Sequence, residues 1–183
     1  FGTDLVTAAY AREIANDEIA HVKALRAVIT SVSASLVIAQ PAIDISATPF
    51  TAAARAAGLV SGSDVFNPYA SVDNFLLAAF LFEDVGVTAY KGASPLITNK
   101  TYLEAAAGIL ASEAYHAGTI RTELYRRGLT ARAAANRISN ARDTLDGSTD
   151  IDQGITAGSS AILSPTDGSG NANLVPADGN AIA

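Results

Sequence analysis

"DEIAH", residues 17–21, and "SEAYH", residues 112–116, decide how this chain is read. The sequence has two histidines, His21 and His116, and each stands three positions after a glutamate, Glu18 and Glu113. Glutamate occupies six of 183 positions, so two independent matches at one offset have a chance probability on the order of one in a thousand. In an α-helix, three residues turn the chain through roughly 300° and advance it about 4.5 Å, so positions i and i+3 share a face. Glu18 with His21, and Glu113 with His116, therefore each present a carboxylate and an imidazole to one spot. That donor combination suits iron, manganese or zinc. One such pair holds a metal loosely; two pairs on helices packed against each other hold it firmly.

The segments around the two motifs are helical by pattern. Residues 4–33 read as one long helix with Asp4 as N-cap and an apolar stripe through Leu5, Ile14, Val22, Leu25 and Ile29. Pro41 stops whatever follows. A short helix is expected over 49–60, with Thr48 as cap, Pro49 at the first helical position and Gly58 at its end; residues 61–71 read as a loop. A second long helix covers 72–91 and is apolar on nearly every side, which predicts that it is largely buried. Gly92 and Pro95 close it. A third runs from Asn99 or Thr101 to Gly128, its basic last turn complementing the helix dipole. A shorter amphipathic helix follows over 130–147, capped by Thr130. Beyond it Gly, Ser, Asp, Asn and Pro dominate and periodicity disappears. The expected organisation is a helical bundle over 1–147 and an irregular tail, 148–183, packed on it.

Glu83 is the third element. It sits mid-helix in "AAFLFEDVGVTAY", where an ionised carboxylate among apolar residues is costly unless paired or metal-bound. A two-metal carboxylate site in a four-helix bundle takes one Glu from each of two helices and Glu-x-x-His from each of the other two. Glu18, His21, Glu83, Glu113 and His116 supply three of those four parts. The fold class that follows is all-α, of four-helix-bundle type, with three long helices present.

Composition bounds the function. Apolar residues make up 49% and charged residues 16% of the chain, as in a globular domain. A formal net charge of −6 argues against nucleic acid and anionic membranes as partners. Cysteine is absent, which rules out disulfides, thiolate catalysis and cysteine-ligated metal and is compatible with any compartment. The longest apolar run, residues 75–82, is too short to span a bilayer. No signal peptide is visible in the chain.

Plainer readings of the same residues exist. Each histidine can be a buried imidazole bonded to its own glutamate. Glu83 can be a partly exposed carboxylate beside a kink at Gly86, and the whole set can be a degenerate site that keeps ligand types without metal. Asp17, four residues before His21, and Asp84 read as solvated groups or as partners of an imidazole N–H. Glu13 and Glu123 read as solvent-facing or paired with nearby arginines. Tyr10, Tyr90 and Tyr115 sit near the proposed ligands, although packing is the commoner role of a helix tyrosine.

The segments "YAREIANDEIAHVKALR", "NFLLAAFLFEDVGVTAYKGASPLI" and "YLEAAAGILASEAYHAGTIRTELY" resemble the ferritin-like domain of the desiccation-related protein family, and the tail "LDGSTDIDQGI…NLVPADGNAIA" is similar to that of its bacterial members. The resemblance covers nearly the whole chain. It implies that Glu18, His21, Glu83, Glu113 and His116 occupy the ligand positions of two Fe or Mn ions, in a protein that oxidises metal or removes peroxide under stress. In that family an earlier helix carries a further glutamate and a last short helix follows the "GNAIA" region; the resemblance implies that both lie outside this chain. It also implies a secreted or periplasmic location. The competing expectation is a non-catalytic structural protein with a vestigial site. Three long helices leave a groove where a fourth belongs, and that groove would draw a homo-oligomer or another assembly together.

Overall fold

The computed structural model describes residues 1–145 and 152–155. All regular structure among them is helical: five α-helices and two short 3-10 turns. The chain divides into two compact units, residues 1–44 and residues 45 onward.

The first unit is dominated by α1, Leu5–Val32. Its start follows from Asp4, whose carboxylate accepts from the Thr7 backbone N–H at 3.0 Å and from the Thr7 hydroxyl at 2.9 Å; an N-cap of this kind contributes about 1 kcal/mol. Ser33 adopts extended backbone and ends the helix. A 3-10 turn, Ala34–Leu36, reverses the chain, and Arg26 Nη1 donates to the Ile38 carbonyl at 3.0 Å, tying the outgoing strand of chain back to the helix.

The second unit begins with α2, Ala47–Ala56. Its cap is Ser46, whose side chain accepts from the Thr48 N–H; Thr48, expected to be the cap, and Pro49 both lie inside the first turn. Gly58 at φ +66° ends the helix. The Leu59 N–H reaches the Ala54 carbonyl at 2.8 Å and the Gly58 N–H reaches Arg55 at 3.0 Å, the paired bonds of a Schellman stop. Within the loop, the Thr51 hydroxyl accepts from the Phe66 N–H at 3.1 Å and pins 61–71 to α2.

Helices α3, Val72–Ala93, and α4, Lys100–Arg126, pack against each other along their length. Ser71 caps α3 and Asn99 caps α4 with the Thr101 and Tyr102 N–H groups. Helix α5, Leu129–Asp143, crosses both. Its N-cap is Gly128, at φ +93°, with no side-chain cap bond. Thr130 is therefore not the cap: the glycine that stops α4 also turns the chain into α5.

Burial on α3 follows one stripe, through Leu76, Leu77, Phe80, Glu83, Asp84 and Val87. Phe82 and Val85, which stay 59% and 43% exposed, mark the face of α3 that the expected burial does not reach. Leu76, Phe80, Ile120 and Leu124 form the fully buried centre, each contributing about 1.5–3 kcal/mol by leaving water. Of the tail beyond 147, only 152–155 fall within the described residues; the rest of that expectation lies outside them.

Candidate metal centre

The stripe that buries α3 carries two adjacent carboxylates where apolar residues would ordinarily stand. Helical spacing sends them to different partners. Asp84 faces Arg121, whose Nε and Nη2 donate to its two oxygens at 3.1 and 2.7 Å, both residues being fully buried. Arg121 also donates to the carbonyls of Gly154 and Gln153, at 3.1 and 2.8 Å, and lies over the Phe80 ring at 5.1 Å. Arg142 on α5 reaches Asp84 at 3.5 Å and Asp152 at 3.2 Å. Complete burial pushes the Asp84 carboxyl up from the ordinary aspartate range, and Arg121 and Arg142 pull against it. The sequence expectation of a solvated or imidazole-bound Asp84 is thus corrected: it is the anion of a buried two-arginine network.

Glu83 faces the other way. Its neighbours are Glu113 and His116, brought inward by the matching stripe of α4 through Glu113, His116, Ala117, Ile120, Arg121 and Leu124. Glu83, Glu113 and His116 are all buried, and each offers a ligand atom within 4.8 Å of the others. His116 Nδ1 stands 3.3 Å from Glu83 Oε2, with side-chain exposures of 3% and 9%. That approach does not meet hydrogen-bond geometry, and Glu83 Oε2 accepts no hydrogen bond among the described residues. The other imidazole nitrogen, Nε2, lies 3.4 Å from the Ser112 hydroxyl one turn back. Val87 and Ala117 pack with Leu110 as the apolar flank of the group.

Gly86 makes the arrangement possible. A Cβ built there would overlap Glu113 Oε2, so the Glu113 carboxylate uses the space that any other residue would fill. The sequence read this glycine only as a kink. Its signal was available: a glycine one turn after a buried glutamate, in a helix otherwise rich in helix-forming residues.

On α1, Glu18 and His21 meet as their spacing demands, with His21 Nδ1 3.3 Å from Glu18 Oε1 and side-chain exposures of 13% and 42% for the two residues in that order. Asp17 does not displace Glu18 in that contact. Glu13 is exposed, whereas Glu123 is buried and pairs with Arg126 at 3.2 Å. Tyr115 is 72% exposed and Tyr10 36%; Tyr90 is half-buried.

The family described as "Ferritin-like domain" matches residues 2–126. A desiccation-related protein, PCC13-62, from Craterostigma plantagineum is 29% identical over 182 residues, covering 93% of this chain and 54% of that protein. The chain thus spans about half the length of the curated relative it matches. No solved structure matches it.

Proposed function

The chain belongs to the ferritin-like domain family, and from that premise we propose that it is a stress-related metal-binding protein with Glu83, Glu113 and His116 as one group of metal ligands and Glu18 with His21 as another. The observation behind this reading is the buried Glu83–Glu113–His116 group. Glu83 Oε2 is desolvated without a hydrogen-bond donor, and the Gly86 notch admits the Glu113 carboxylate. Those features suit a cation and are costly without one.

In the proposed site, Glu83, Glu113 and His116 would together hold a metal ion through two carboxylates and an imidazole. Glu18 and His21, which α1 already presents together, form the other ligand group. With the proton on His116 Nε2, the Ser112 hydroxyl 3.4 Å away would accept it, and Nδ1 would be the nitrogen offered to the metal. Bound iron or manganese would supply one-electron chemistry toward Fe(II) oxidation or peroxide removal. Burial of Glu83, Glu113 and His116 keeps bulk water from most of the group. A stress or desiccation role is taken from the relative's description, and action outside the cytoplasm and homo-oligomeric assembly from the family resemblance.

Elemental analysis of the purified protein tests the reading. Two equivalents of Fe or Mn per chain, lost in the His21→Ala/His116→Ala double variant, support it. A metal-free protein whose melting is insensitive to both substitutions would make it a structural protein with a vestigial site.

A further inference from the structure

The second unit contains a cavity of about 240 Å³ between α2, α3 and α5. Thirteen of its fifteen lining residues are apolar, and six of those are alanines distributed over all three helices. The space therefore exists because short side chains face one another: Ala53 and Ala54 from α2, Ala78 from α3, Ala141 from α5. The hollow is partly open to solvent, with Ala53, Ala56 and Leu145 exposed, and its apolar walls there lack packing partners. We propose that the cavity binds a neutral aromatic small molecule of roughly two or three rings, about one and a half times the size class of the 150 Å³ cavity that admits benzene.

The chemistry of the walls selects that class. The one charged lining group, Arg142, is engaged by Asp84 and Asp152, so no free charge awaits an ionic ligand. Ten of the fifteen lining residues lie in α2, α3 and α5, whose backbone groups bond within the helices, so an entering peptide chain would find few partners for its own N–H and C=O groups. An aromatic guest does find a preset surface. Phe50 lines the cavity, and its ring is held edge-on by Phe82 with centroids 5.9 Å apart at 85°, the geometry in which a ring stays oriented for a further contact.

The test titrates the full chain with N-phenyl-1-naphthylamine, a neutral probe that brightens in apolar surroundings. Ala53→Leu and Ala141→Leu fill the cavity from residues that are not fully buried, which protects folding. The expected result is saturable binding at one probe per chain, weakened at least tenfold in both variants while their melting temperatures hold or rise. Two results overturn the proposal. One is saturable binding that neither variant weakens. The other is no saturable binding by the unaltered chain; filled variants that then melt lower would assign the space to another part of the chain, and a mass above one chain by light scattering would assign it to a second copy.

Discussion

The two Glu-x-x-His motifs share a spacing and differ in almost everything else. On α1 the imidazole meets its own glutamate, and that glutamate is 42% exposed. On α4 the imidazole turns to Glu83 on a different helix, in a pocket where both partners are nearly dry. Spacing places two side chains on one face; a packed neighbour decides whether their donor atoms are desolvated and aimed together. The α4 motif also stands beside a structural ion pair, since Glu83 is followed by Asp84 and His116 lies about one turn before Arg121. The metal-binding half of the proposed site is thus fastened to the core of its unit.

The largest way to break this contrast is Arg121→Met. Asp84 would keep only the weaker Arg142 contact, and losing one partner of a buried pair costs about 3–5 kcal/mol. The melting temperature should fall by about 10 °C or more. Lys23→Met on α1, at an exposed position, should stay within about 0.5 kcal/mol. Thermal denaturation of both variants decides whether the two regions differ as described.

His116→Ala against His21→Ala sharpens the comparison at the ligands. Removing a buried donor should weaken metal binding at least about a hundredfold, near 2.7 kcal/mol. The same change at His21, beside a more exposed glutamate that water can assist, should cost about tenfold. Competition titration with a chromophoric chelator measures both; equal losses would erase the distinction.

Gly86→Ala should destabilise by about 1–3 kcal/mol through overlap with Glu113 and release metal. Gly118→Ala on α4 meets nothing within 4 Å and should gain about 0.5–1 kcal/mol from helix propensity. Opposite signs in chemical denaturation are expected. Asp4→Ala should cost about 1 kcal/mol at the α1 cap, read as lost helicity by circular dichroism without loss of metal at His116.

Much of this was legible in the sequence. Asp4 and Asn99 are strong caps before periodic segments, so α1 and α4 were placed within a residue or two, and the family resemblance agreed with the five candidate ligands. Ser46 escapes the sequence reading because Pro49 looks like the first helical residue with Thr48 before it, although proline is tolerated further into that turn. Thr130 was preferred to Gly128 because a hydroxyl is the better cap, yet only the glycine adopts φ +93°. Asp84 was misjudged for a deeper reason. A carboxylate in an apolar run announces that it needs a partner, but Arg121 is 37 residues away, and pairing at that distance follows from how α3 and α4 pack.

Anomalous diffraction from crystals grown with the native metal, recorded at the iron and manganese edges, tests the central claim most directly. The account predicts a peak within bonding distance of Glu83, Glu113 and His116. Crystals with no anomalous peak at these side chains, or with peaks only at the molecular surface, would contradict it.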